Sequence, residues 1–257
     1  MSAQADLSKL SVGQFAERFR GEMIPLSTTF SYFCASVPMS EEDLKEYLEE
    51  PIAALPAAVA AVLPKVSIML VPYLERVNGK DKKKAPGEFV CTEKPPESHL
   101  FWASQVRLDN DKEEVLLFAL KDQEVAEYHY RFYQMLATLM GDRWSPKAEM
   151  LYSQLLRDEL NNSVHGEVDE ESWRGKQALL RRQANVRRET KLFRDYARLS
   201  FIDTLTLYLH GVCCDIDVET GPRQLPSKYL RNRLNLLYTL YPPPEGYAVF
   251  PEHLKEQ

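Results

Sequence analysis

The side chains whose types could do chemistry are thinly spread, and the densest group is Glu124-Val-Ala-Glu-Tyr-His-Tyr-Arg-Phe-Tyr133. Carboxylates beside an imidazole suggest a carboxylate-bridged metal centre, which helical bundles build from Glu-x-x-His pairs. Helical geometry opposes that reading. At about 100° per residue, Glu124, Glu127, Tyr128 and Arg131 share one face, whereas His129 lies about 140° away from Glu124 with Val125, Phe132 and Leu136. His129 is therefore expected to be a buried, hydrogen-bonded histidine.

Asp203 stands inside the apolar run from Phe201 to Leu209. A carboxylate carried into a core must be paired, hydrogen-bonded or coordinating, because an unpaired buried charge is strongly destabilising. His165 lies in the polar stretch Asn161-Asn-Ser-Val-His-Gly-Glu167, where a loop histidine can act as acid or base. Asp203, Glu124, Glu127 and His165 are thus the candidate residues of a metal- or acid/base-assisted hydrolase. They belong to separate elements, so only a fold can bring them together. His210 precedes Cys213-Cys214, which could pair an imidazole with a thiolate. The same position, just before Gly211, is also where a helix dipole favours a positive group.

The spacings that specific chemistries require are missing. No histidine is followed by Asp, His-Glu-x-x-His is absent, and the ten glycines form neither GxGxxG nor GxxxxGK[ST]. There is no GxSxG nucleophile elbow. Four cysteines without a CxxC pair read as reduced thiols rather than a zinc site. No resident metal and no cofactor is expected.

The elements that must position these residues begin with a charge run. Between Arg174 and Arg198 stand nine bases (Arg174, Lys176, Arg181, Arg182, Arg187, Arg188, Lys191, Arg194 and Arg198) and two acids, Glu189 and Asp195, in a chain whose net charge is -6. Leu179, Val186 and Phe193, seven apart, form an apolar seam with Ala197, and Lys176, Arg187, Lys191, Arg194 and Arg198 project from the opposite sector. After Leu199 the polar face disappears. The pattern predicts one long basic-to-apolar helix from about Trp173 to His210, stopped by Gly211. Arg187, Lys191, Arg194 and Arg198 are the expected contacts to an anionic partner. The plainer alternative is a solvated face paired with acids of 41–50 and 167–171.

Around this helix, residues 1–64 read as a helical layer: Ser11 to Arg20, a capping box at Ser40-Glu-Glu-Asp43, and an Ala-rich piece between prolines. Residues 65–120 read as a small antiparallel sheet containing Val66 to Val77, Glu88 to Thr92, and a hairpin of Leu100 to Leu108 with Val115 to Leu120. Residues 121–241 are helical, through Gln123 to Met140, Pro146 to Asn162 with Ser145 as cap, the long helix, and Ser227 to Tyr241. Residues 242–257, opening on Pro242-Pro-Pro244, read as an extended tail. The expected class is α+β, predominantly helical, with a single domain over 1–257.

Composition bounds the function. The hydrophobic share of 44% and charged share of 27% belong to an ordinary globular chain and exclude global disorder. No apolar run approaches the roughly 20 residues that span a bilayer, and the N-terminus lacks a basic, then apolar, leader. A soluble, cytoplasmic protein without a membrane partner is expected. A pI near 5.5 argues against coating nucleic acid by bulk charge. The function expected from the sequence is a non-catalytic binding or regulatory module whose basic helix engages an acidic protein partner. The alternatives are the hydrolase near Asp203 and a binder of RNA or a phosphate ligand through residues 174–198.

Overall fold

A hydroxyl or carboxylate caps the start of several helices, and a proline separates the two sheets of the computed structural model. The structure describes residues 10–77, 86–108, 113–182, 188–214 and 223–250. Val186 and Arg187, residues 78–85, 109–112 and 215–222, and part of the expected tail lie outside the described residues. The chain divides into two compact units, Met1–Glu49 with Pro64–Arg131, and Glu50–Leu63 with Phe132–Gln257. Half of the described residues are helical and 19% are in strands, so the expected α+β class holds.

In the first unit, α1 (Val12–Phe19) starts at a capping box in which Ser11 accepts from the Gln14 N–H and Gln14 answers at the Ser11 N–H. Strands β1 (Ile24–Pro25) and β2 (Phe30–Cys34) follow, then the short helix α2 (Glu41–Leu44) capped by Ser40. Residues 1–64 are therefore not purely helical. Thr28-Thr-Phe-Ser-Tyr-Phe-Cys34, rich in β-branched and aromatic side chains, carries the strand signal that the helical reading passed over.

The apolar run expected at 66–77 is two strands, β3 (Lys65–Val71) and β4 (Tyr73–Val77), parted by Pro72, which has no N–H to give a ladder. Next come β5 (Gly87–Cys91), β6 (Leu100–Phe101), β7 (Ala103–Leu108) and β8 (Glu113–Ala119). The β7–β8 pair is the expected hairpin, with Val106 opposite Val115. The sheets differ from a single small antiparallel one: five strands run in the order β1-β2-β3-β8-β7, with β2, β3 and β8 mutually parallel, and three antiparallel strands run β5-β4-β6. Strands buried on both faces read as continuous apolar runs, which hides their direction from the sequence. One face of the larger sheet packs Phe33, Met69, Val71, Leu117 and Ala119 against Phe15 and Ala16 of α1. On the other face, Phe118 meets Tyr128 edge-on at 5.1 Å.

The second unit is helical. It contains α3 (Glu50–Ala53), α4 (Ala57–Ala60), the later turns of α5 (Val125–Gly141), α6 (Pro146–Asn161), α7 (Glu170–Leu180), α8 (Lys191–Cys213) and α9 (Ser227–Leu240). Ser145 caps α6 through the Ala148 N–H, with Pro146 in the first turn, as its sequence predicts. The single long helix is a correction: it is two helices packed on each other, because Thr190 accepts from the Phe193 N–H and starts α8 afresh. The basic-to-apolar character survives within α8. Gly211 does not stop it, and the helix ends two residues later at Cys213. Close packing explains two glycines: a Cβ on Gly141 would meet Ile202 at 2.7 Å, and one on Gly175 would meet Leu199 at 3.3 Å. Among the described residues no helix is long and apolar enough to cross a membrane.

Candidate functional site

The basic run from Arg174 to Arg198 resolves into a paired part and an unpaired part. Arg174 meets Glu170 one turn earlier at 2.7 Å. Arg198 donates from Nε to Asp142 at 3.0 Å. Lys176, expected on the exposed basic sector, is instead buried: its Nζ donates to the Gly166 carbonyl at 2.8 Å and lies 3.3 Å from Glu167. Glu189 pairs with Arg157, whose guanidinium also covers the Phe193 ring at 4.5 Å.

What remains lies where α7 ends and α8 begins. Arg181, Arg182, Arg188, Lys191 and Arg194 are exposed and have no ion-pair partner among the described residues; of the exposed acids beside them, Glu189 is held by Arg157 and Asp195 has no partner among the described residues. Lys191 and Arg194 occupy the first turn of α8, whose dipole already presents positive charge there. Cations at that end raise the local potential, and an incoming anion relieves it.

Inside the unit lies a buried ionic network that sequence reasoning did not assemble. Arg233 of α9 is fully buried and uses all five of its donors. Nε reaches Glu159 at 3.1 Å, Nη2 reaches Glu159 at 2.6 Å and Glu167 at 3.0 Å, and Nη1 reaches Glu167 at 2.6 Å and Ser200 Oγ at 2.8 Å. Tyr196 donates to Glu167, and Tyr152 donates to the Ser200 carbonyl at 2.9 Å. Burial alone would raise the Glu167 carboxyl; Arg233, with Lys176 and the Tyr196 hydroxyl, overcomes it and holds the group at about 2. Burial pushes the Tyr152 phenol up to about 12. The positive φ of Gly166, where a Cβ would strike the Gln224 carbonyl at 2.1 Å, lets the loop turn Glu167 inward. Two cations, Arg233 and Lys176, balance two carboxylates, and the network ties α6, α8, α9 and the 166–167 loop together.

No known protein family, curated protein or solved structure matches this chain.

The expected hydrolytic residues are divided between the two units, Asp203 and His165 in the second and Glu124 and Glu127 in the first. Asp203 is 9% exposed and accepts the Ser172 N–H at 3.3 Å, so it serves as a tertiary cap on the first turn of α7. Burial, against the opposing Ser172 hydrogen bonds, raises its carboxyl to about 6. His165 is exposed in the loop between α6 and α7 and makes no hydrogen bond among the described residues. Glu124 and Glu127 belong to the first unit as exposed acids, Glu127 facing Arg131 at 3.8 Å. His129 is buried and bonds through Nε2 to the Glu46 carbonyl at 2.9 Å, as its helical position predicts. The Cys213 thiol is lowered to about 7 by its hydrogen bond with Cys214, which with one from Tyr133 outweighs burial; His210 is not among the causes.

Proposed function

We propose that this protein is a non-catalytic binding module whose second unit engages an acidic protein partner through the joint between α7 and α8. The observation that carries this reading is selective neutralisation. Arg174, Lys176 and Arg198 have acids built against them, while Arg181, Arg182, Arg188, Lys191 and Arg194 are left exposed together without one among the described residues. Of the four expected contacts, Lys191 and Arg194 remain as binding residues. Arg198 has a structural partner in Asp142, and Arg187 lies outside the described residues. In a chain with net charge -6, a confined positive joint is a local attraction for acidic side chains on a surface that otherwise repels anions.

The test compares the wild-type chain with a Lys191→Glu/Arg194→Glu double variant for binding to poly-L-glutamate and to a short single-stranded RNA. Both substitutions are at exposed positions, so the fold is retained. The expected outcome is poly-L-glutamate binding that weakens as salt rises from about 50 to 200 mM and falls at least about tenfold in the variant. Equal binding by both proteins overturns the reading. RNA binding tighter than poly-L-glutamate binding transfers the joint to nucleic acid.

A further inference from the structure

The first unit places polar side chains on a sheet face that is otherwise apolar. Along the face covered by α1, the rung of Phe33, Met69 and Leu117 is core. One rung nearer the strand starts, in register, come Ser31, Ser67 and Val115; one rung further come Lys65 and Glu113. Val115 still belongs to the core beneath α1; beside it, along Ser31, Ser67, Lys65 and Glu113, opens a cavity of about 310 Å³, lined also by Met23, Thr28 and Thr29. Ser27 shapes its rim by accepting the Phe30 N–H at 3.0 Å and the Thr29 N–H at 3.2 Å.

The hydrogen bonds in this cavity have a fixed direction. Arg20, just after α1, donates from Nε to Glu113 Oε2 at 2.9 Å and pairs through Nη2 at 2.8 Å. Glu113 Oε1 accepts the Ser67 hydroxyl at 2.8 Å. A serine has one hydroxyl proton, so Ser67 has none left for Ser31, 3.0 Å away, and Ser31 must donate to Ser67. The chain Ser31→Ser67→Glu113 therefore presents only the lone pairs of Ser31 Oγ to the cavity. Lys65 is exposed at the same opening and has no ion-pair partner among the described residues. Arg20 balances Glu113, which leaves the Lys65 charge for a ligand.

We propose that this cavity binds a small monocarboxylate carrying an adjacent hydroxyl or ammonium group, of the α-hydroxy-acid or α-amino-acid class. The carboxylate faces Lys65 with Thr28 and Thr29 as donors, and the hydroxyl or ammonium donates to Ser31. A cavity of this size suits a ligand of few atoms. A phosphate dianion is disfavoured because one net positive charge serves it while Glu113 stands beside it. The lining residues include no imidazole, and Glu113 is already held by Arg20, so the site binds without an activated nucleophile.

Calorimetric titration of the full chain with glycerate, L-serine, acetate and inorganic phosphate tests this. Glycerate or L-serine should bind at least about tenfold more tightly than acetate, which lacks the donor. Lys65→Gln should weaken every carboxylate, and Ser31→Ala should abolish the advantage over acetate. Lys65 is exposed, so its result stands whether or not the Ser31 variant folds. No binding by glycerate or L-serine, unchanged affinity in Lys65→Gln, or preference for phosphate overturns the proposal.

Discussion

Asp203 shows how one carboxylate in an apolar helix couples stability to pH. Its carboxyl stands at about 6 in the folded chain, against an ordinary 3.8, so the folded state holds a proton more tightly than the unfolded one. Its stabilising contribution is complete below pH ~4 and is lost as pH rises through about 6. Asp203→Asn keeps an oxygen for the Ser172 N–H and carries no charge. Urea unfolding should show the variant matching the wild type near pH 4 and exceeding it by about 3 kcal/mol at pH 7, from the size of the shift. A loss confined to pH 7 would mean that the charge itself holds α7 in place. His165, by contrast, is exposed and without a hydrogen bond among the described residues, so its replacement should leave this profile unchanged.

Among elements, α9 is joined to α6 and the 166–167 loop by charge. Arg233 is buried with Leu230, Leu234 and Leu237, and Glu159 with Leu156 and Leu160. Two opposite charges on the apolar stripes of different helices were legible as an anomaly, but nothing local pairs residues 74 positions apart. Removing one partner of a buried pair strands the other. Arg233→Met should therefore lower unfolding free energy by about 3–5 kcal/mol in urea titrations at pH 7. Adding Glu159→Leu should recover part of that loss, because Glu167 retains Lys176 and Tyr196 whereas Glu159 is left without the guanidinium. A double variant no better than the single would show that the helices meet through packing alone.

At the scale of the whole molecule the two perturbed carboxylates pull in opposite directions. Glu167, held at about 2 against an ordinary 4.5, contributes stability that is present above the ordinary value and lost as pH falls through about 2. Asp203 contributes on the acid side. The summed contribution of these two groups is greatest in mildly acid solution, near pH ~4–5, rather than at neutrality. Denaturant midpoints measured from pH 2 to 8 should trace that maximum, and in Asp203→Asn the decline toward neutral pH should flatten. A plateau from pH 5 to 8 in the wild type would show that Asp203 is solvated enough to ionise freely.

The order of residues along the chain determined whatever depends on near neighbours. Ser145-Pro146 starts a helix because a hydroxyl and a missing N–H act within one turn, and His129 is buried because its position on α5 puts it with Phe132 and Leu136. The α+β class followed from the same periodicities, as did the β7–β8 hairpin. The break at Thr190 was not legible, since Leu179 and Phe193 are both buried and keep helical spacing across it. Only the tertiary structure decided which bases of the 174–198 run are paired, that Lys176 faces inward, and that Ser31, Ser67 and Glu113 form one directed chain. Each of these depends on distances between elements far apart in sequence, and an ion pair or hydrogen bond is made or lost within about 1 Å.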